Sequence, residues 1–221
     1  MQKYAVIVAG GKGSRMGAET PKQFLLLRSR PILMHTLEAF FSHDSQIKII
    51  LVLPGEELAR WKKLCREFNF SVPHHTTPSG KNRSQSVQNG LSAIAEQEGL
   101  VAIHDGVRPM VSGSMIQESF DTAIQKGCAI TSVALKDSIR WSEGSNNKAL
   151  DRNQYRLIQT PQTFNLRMLR EAYKSLGAQE MTDDASVYEY AGNSVYLIEG
   201  SYRNIKITTP EDLTIAEALL Y

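Results

Sequence analysis

The stretch Tyr4–Gln23, YAVIVAGGKGSRMGAETPKQ, decides how this chain is read. It opens with an apolar run from Ala5 to Ala9 that is β-branched at Val6, Ile7 and Val8. Such a run suits a strand covered on both faces. It then breaks at Gly10, Gly11 and Gly13, and Arg15, Gly17 and Lys22 follow. Glycines let backbone N–H groups approach an anion closely, and cations neutralise its charge. A buried strand feeding a loop of this kind is a phosphate cradle in outline.

Two common cradles fail on spacing. A P-loop ends in Gly-Lys-Ser/Thr, whereas the order here is Lys12-Gly13-Ser14. A dinucleotide fingerprint needs a further glycine where Met16 stands, which excludes a dinucleotide oxidoreductase. Both also need a helix to begin at once, while Pro21 disfavours helix at Thr20 and keeps the loop open. The plain alternative is a glycine-rich turn with solvated Arg15 and Lys22. Glycine density combined with two cations favours a nucleotide loop.

Composition bounds the rest. A chain of 221 residues is long enough for one substantial core, and one α/β domain over 1–221 is the simplest division. Hydrophobic content of 42% and charged content of 22% are ordinary for a globular protein. A net charge of +2 gives no argument for nucleic acid or membrane as a partner. Cys65 and Cys128 are far apart in apolar segments and read as buried, reduced thiols. The N-terminus enters a strand without a signal-like n-region and h-region, and no apolar run approaches a membrane span. A cytoplasmic protein is the expectation.

Strands and helices alternate through the first part of the chain. A helix after Pro31 carries Ile32, Leu33, Leu37, Phe40 and Phe41; a strand follows at Gln46–Leu53, then a helix at Glu56–Phe68. Ser71–Thr77 is extended, Pro78-Ser79-Gly80 turns, and a helix places Val87, Leu91 and Ile94 inward. A strand at Leu100–Ile103, a helix at Gly113–Lys126 and a strand at Cys128–Leu135 complete the alternation, which implies a parallel sheet. Residues 136–159 are polar and read as two strands around a loop, an arm leaving the main sheet. Pro161 restarts the domain, with helices at Leu166–Leu176 and Asp183–Tyr190, the second capped by Thr182. Short strands are expected at Ser194–Ile198 and Asn204–Thr208, before a helix opened by Pro210 and capped by Thr209.

Ligands of open parallel sheets collect at the carboxyl ends of strands. Asp105 ends a strand on the same edge as the glycine loop, where it can serve Mg²⁺ or a substrate hydroxyl, or simply form the Asp105-Gly106 turn. Adjacent Arg108-Pro109 favours function, and His104 reads as a packed support rather than a base. Arg83, Ser84 and Ser86 near a helix start suit a base edge or phosphate, or equally a cap with a solvated Arg. Local sequence alone leaves Lys206 and Arg152 as surface residues.

Taken together, ordered blocks across essentially the whole chain resemble the CTP-dependent sugar-alcohol phosphate nucleotidylyltransferases. The blocks are Ala9–Met16 with Pro21-Lys22-Gln23, Arg83-x-x-Ser86-Val87, His104–Pro109, Thr160-Pro161-Gln162, Thr182–Ser186, and Asn204–Thr208 before Pro210-Glu211-Asp212. The resemblance implies a Rossmann-like three-layer α/β sandwich of the nucleotide-diphospho-sugar transferase type, with a mostly parallel sheet and a protruding β-arm. It implies attack by a sugar-alcohol phosphate on the α-phosphorus of CTP, with Mg²⁺ as cofactor and pyrophosphate as product. Arg15, Lys22, Arg152 and Lys206 would then be catalytic. Ala9, Gly10, Gly11, Gly13, Gly80, Arg83 and Ser86 would bind CTP, and Asp105, Arg108, Ser138, Thr160 and Thr182 the acceptor, with Asp105 also near the metal. The resemblance further implies a homodimer in which Ser138 and Arg152 of the arm serve the neighbouring chain.

The segment Thr182–Gly192 and the block Asp151-Arg152-Asn153 favour methylerythritol phosphate, an isoprenoid precursor, over ribitol 5-phosphate as acceptor. Ser138 departs from a common Thr but keeps the hydroxyl, and Lys81 stands where relatives can be acidic. A CTP sensor without turnover is the rival from another class, disfavoured by retention of every positioning cation.

Overall fold

The computed structural model describes residues 1–11, 20–177, 179 and 181–220. The predicted site residues Gly13 and Arg15 lie outside the described residues.

β1 (Lys3–Val8) alternates its side chains between two apolar cores. Ala5 and Ile7 enter one core, and Tyr4 and Val6 the other, as the two-residue repeat of a strand requires. β2 (Leu26–Leu27) and β3 (Arg30–Pro31) form a small hairpin after the glycine loop. Its turn residues Arg28 and Ser29 have φ of 49° and 62°, the left-handed pair that a two-residue hairpin turn takes. Next come α1 (Ile32–His43), β4 (Lys48–Leu53), α2 (Leu58–Glu67) and β5 (His75–Pro78). They lead to α3 (Arg83–Ser92), β6 (Leu100–Asp105), α4 (Gly113–Lys126) and β7 (Cys128–Ala134).

The second part holds β8 (Ile139–Glu143), β9 (Asn146–Leu150), β10 (Arg156–Asn165) and α5 (Leu166–Ser175). It ends with α6 (Asp184–Tyr190), β11 (Leu197–Glu199) and α7 (Pro210–Leu219). The central seven-stranded sheet has the order β11-β7-β10-β6-β1-β4-β5. β10 runs antiparallel to both its neighbours, and the other pairings are parallel.

Helices cover both faces, giving three layers. Leu37 and Phe40 of α1, Trp61 of α2 and Phe120 of α4 share one core with Leu51 and Ala102. Val87 of α3, Leu169 of α5 and Tyr188 of α6 share the other with Val52 and Ile103. Each fully buried Leu, Ile, Val or Phe among them contributes about 1.5–3 kcal/mol by leaving water. α7 packs separately, with Ala216 against Leu27, Ile32, Val107 and Ile207. Thr209 and Asp212 form a reciprocal capping box at its start, so the predicted cap is present.

Three expectations need correction. The arm does not extend to residue 159, because β10 begins at Arg156 and lies between β6 and β7. Pro161 concealed it: proline cannot donate to a ladder, and here the register shifts between Ile158 and Gln162. The cap of α6 is Asp183, whose carboxylate accepts the Ser186 N–H at 3.0 Å; Thr182 precedes it. Asn204–Thr208 is not a strand, because the Asn204 and Ile205 amides turn back onto the Ser201 and Arg203 carbonyls. Among the described residues no helix is long and apolar enough to cross a membrane. Cys65 and Cys128 are free thiols, half-buried and buried respectively.

Candidate active site

The chain leaves β1 for β4 and β5 on one side, then returns to β6 on the other. This reversal opens a crevice beyond the carboxyl ends of the strands, where open α/β sheets bind ligands. A cleft of about 930 Å³ lies there. Its walls come from four strand ends: Gly10 and Gly11 after β1, Pro54 and Gly55 after β4, Ser79 and Gly80 after β5, and Asp105 of β6. Among the described lining residues the cations Lys22, Lys81, Arg83 and Lys206 outnumber the carboxylates Glu56 and Asp105. An anionic ligand is what this wall accommodates.

One side of the cleft is built by close backbone approach. A Cβ on Gly10 would lie 2.8 Å from Ser79 Cβ, and one on Gly80 would lie 2.4 Å from Gln85 Cγ. Only glycine fits these places without displacing the loop. The Ser86 hydroxyl donates to the Asn82 carbonyl at 2.8 Å and accepts the Gly80 N–H at 3.1 Å. Asn82 caps α3 by accepting the Gln85 N–H at 2.9 Å. Buried Gln23 donates its side-chain amide to the Ala9 carbonyl at 3.0 Å, just before Gly10 and Gly11. Lys22 opens a short 3₁₀ turn beside it, after Pro21.

The opposite side is an ion cluster around Asp105. Its Oδ2 lies 3.0 Å from Lys206 Nζ and 3.3 Å from Arg108 Nε. Arg108 also donates to the Asn204 carbonyl at 2.7 Å, and the Thr160 hydroxyl accepts the Asp105 N–H at 3.1 Å. Burial opposes the Asp105 charge, but Lys206, Arg83 and Arg108 outweigh it and hold the carboxyl well below its usual range. His104 is fully buried, packs edge-on against Phe40 at 5.1 Å, and meets the Arg108 carbonyl through Nε2 at 3.1 Å. Burial pushes its pKa down to about 4, so it is a neutral support and no general base, as its sequence context suggests.

The structure therefore brings Ala9, Gly10, Gly11, Lys22, Gly80, Arg83, Ser86, Asp105 and Lys206 to one cleft. Ser86 is committed to shaping the Gly80 loop, and Arg83 pairs with buried Asp184 at 2.5 Å, so neither is simply a solvated capping residue. Thr160 and Arg108 are buried or nearly so and brace Asp105 from behind. Ser138, Arg152 and Thr182 are exposed and do not line this cleft; Arg152 instead bonds the Lys136 carbonyl at the root of the arm. Gln23, Gln162 and Asp184 have no role that local sequence reveals, although each stands inside a block that carries the resemblance. Gln23 and Gln162 each lie one or two residues after a proline, and Asp184 follows the Asp183 cap.

Among the described residues no group of three or more His, Cys, Asp or Glu side chains could cage a metal ion. Mg²⁺ held through substrate phosphates needs only one or two carboxylates. Asp105, ionised and on the cleft wall, meets that lesser requirement.

A family model described as IspD, 2-C-methyl-D-erythritol 4-phosphate cytidylyltransferase, matches residues 4–221. A relative of that name from Porphyromonas gingivalis is 48% identical over 220 residues, covering 99% of this chain and 98% of the relative. One from Phocaeicola vulgatus is 45% identical over 220 residues, covering all of both chains. The crystal structure of 2-C-methyl-D-erythritol 4-phosphate cytidylyltransferase from Thermus thermophilus superposes with a TM-score of 0.83 at 31% identity, covering 99% of this chain and 98% of that one. That of 4-diphosphocytidyl-2C-methyl-D-erythritol synthase from Anaerococcus prevotii gives 0.84 at 27% identity, over 98% and 97%. With its mostly parallel sheet, its glycine-built cleft and this full-length likeness, the chain belongs to the family of 2-C-methyl-D-erythritol 4-phosphate cytidylyltransferases.

Proposed function

We propose that this protein joins CTP to 2-C-methyl-D-erythritol 4-phosphate, forming 4-diphosphocytidyl-2-C-methyl-D-erythritol and pyrophosphate. A phosphate oxygen of the acceptor forms a bond to the α-phosphorus of CTP, and the bond to the bridging oxygen breaks, with pyrophosphate leaving. That oxygen is already a nucleophile, so no general base is required, which suits a site whose histidine is buried and neutral. What the protein supplies is placement and neutralisation of charge in the transition state.

The observation that carries this reading is the cleft itself. Backbone crowded at Gly10 and Gly80 shares one cleft with Lys22 and with Asp105 and Lys206, whose ion cluster Arg108 completes. The glycine side takes the triphosphate and the nucleoside, with Arg15 and Lys22 stabilising charge at the α-phosphorus. The Asp105 side takes the acceptor, whose phosphate competes with Asp105 for Lys206. Mg²⁺, held by the CTP phosphates with Asp105 as its protein ligand, would neutralise further phosphate charge. Ribitol 5-phosphate as acceptor, and a CTP sensor without turnover, are not favoured by the family membership.

The active form in this reading is a homodimer. Ser138 and Arg152 sit on or beside the β8–β9 hairpin and stay clear of their own chain's cleft. Leu157 and Ile158, where β10 enters the sheet, are 53% and 40% exposed and suit cover by a second copy. The hairpin would then carry Arg152 to the neighbouring acceptor phosphate, opposite Lys206. The free thiols suit a cytoplasmic location.

Lys22→Ala and Arg15→Ala test the division of labour. Turnover should fall by roughly 10²–10³-fold, much more than CTP affinity falls. Equal losses in both would leave the loop a binding element only.

A further inference from the structure

The described mechanism leaves one buried carboxylate unused. Asp184 opens α6, and its side chain is fully buried. Its Oδ2 accepts from the Arg83 guanidinium at 2.5 Å, and its Oδ1 accepts from the Tyr173 hydroxyl at 2.6 Å. Both carboxylate oxygens are thus engaged, by groups from two other helices, which fixes the plane of the carboxylate. Arg83 is the first residue of α3, lines the cleft, and retains a quarter of its side-chain surface. A guanidinium has five N–H donors, so the bond to Asp184 leaves others for a ligand.

We infer that Asp184, with Tyr173 behind it, is the positioning residue that holds Arg83 against the nucleotide in the CTP half of the cleft. The inference rests on the reading of this cleft as a CTP site. An arginine at a helix start beside a solvent-filled cleft is ordinarily a mobile cation. Here, burial disfavours the guanidinium charge, but the Asp184 carboxylate overrides that effect and raises its pKa. The same carboxylate, after burial itself, pushes the Tyr173 hydroxyl far above its usual range, so Tyr173 remains a donor. The anchor is itself fixed. Asp183 accepts from the Gln162 amide at 3.0 Å, and Gln162 accepts the Ala185 N–H at 2.9 Å. Gln162 lies on β10 two residues from Thr160, the residue that braces Asp105. A rigid sheet element therefore sets the carboxylate that sets Arg83, and both halves of the cleft share that element.

The test uses the full-length enzyme and steady-state pyrophosphate release, with thermal unfolding measured in parallel. Asp184→Asn keeps the shape and removes the countercharge of a partly buried guanidinium. KM for CTP should rise by roughly tenfold or more, while kcat and KM for the acceptor change by less than about threefold. Tyr173→Phe removes one hydrogen bond and should move KM for CTP a few-fold in the same direction. Arg83→Ala combined with Asp184→Asn should be no worse for CTP than Arg83→Ala alone, since Asp184 acts through Arg83. A lowered unfolding temperature with unchanged KM for CTP in these variants overturns the inference, as does multiplication of the two losses in the double variant. Should Asp184→Asn not fold, Tyr173→Phe decides: an unchanged KM for CTP counts against the role. Failure of the unmodified enzyme to turn over CTP would instead refute the underlying reading of the site.

Discussion

Gly10→Ala places one methyl group at the more crowded of the two described glycines of the proposed triphosphate loop. The new Cβ would meet Ser79 Cβ at 2.8 Å, Ser79 Oγ at 3.2 Å and Ser86 Oγ at 3.4 Å. Ordinary carbon–carbon contact begins near 3.5–4.0 Å, so about 1 Å must be found by moving the β1 loop away from the β5 loop. Overpacking of this size costs about 1–3 kcal/mol of stability, which a folded enzyme can tolerate. Placement at the reacting centre is less forgiving, and a shift of ~1 Å can cost about 10²-fold in rate. The variant should therefore stay folded, with an unfolding temperature a few degrees lower, and lose roughly 10²-fold in kcat/KM for CTP. Pyrophosphate release over a range of CTP concentrations, beside a thermal melt, measures both. Adding Ser79→Gly removes the atoms at 2.8 and 3.2 Å, so the nearest of the three contacts that remains is the tolerable one at 3.4 Å. That second change should recover much of the lost activity. Wild-type kcat/KM in Gly10→Ala, or an absence of rescue in a folded double variant, would refute the close-approach reasoning.

Further outcomes follow from other parts of the site. Burial holds His104 neutral down to about pH 4, whereas the unfolded chain takes up its proton below about 6.5. Stability should then rise with pH across that window by roughly 3 kcal/mol and level off above it. His104→Gln, titrating nothing, should flatten this limb in chemical denaturation at several pH values; parallel curves would contradict the assignment. Mixing an Arg152→Ala chain with a Lys22→Ala chain should restore part of the activity, because one of two shared sites is then intact. Verified heterodimers without recovered turnover would remove Arg152 from the neighbouring site. Lys206→Ala should raise KM for the acceptor and lower kcat by at least 10²-fold, with CTP affinity nearly unchanged; loss of CTP affinity alone would move Lys206 to the nucleotide half.

The parts of the fold legible in the sequence were those where one physical rule acted alone. Continuous apolar runs marked β1, β4, β6 and β7, because strands covered on both faces have no polar side to alternate. The Thr209-Pro210 start of α7 was equally plain, since cap and proline agree. β10 was hidden because two rules conflict: it is deeply buried between β7 and β6, yet carries Gln159, Pro161, Gln162 and Thr163. Its polar side chains are satisfied by distant groups, such as Asp183 for Gln162 and Ser119 for Thr163, which no local pattern reveals. The same holds within the site. Gly10 and Gly80 could be located by type, but the reason for them, contact with Ser79 and Gln85, needs the fold. Arg83 and Asp184 are 101 positions apart and become partners only when α3 and α6 cover the same sheet face.

In the proposed function this cleft transfers a cytidylyl group and does not merely hold a nucleotide. Pyrophosphate release should be followed from CTP with Mg²⁺, supplying 2-C-methyl-D-erythritol 4-phosphate, ribitol 5-phosphate or neither. Release should depend on methylerythritol phosphate and be much faster than with ribitol 5-phosphate. CTP binding without release under any of these conditions, or faster use of ribitol 5-phosphate, would contradict it.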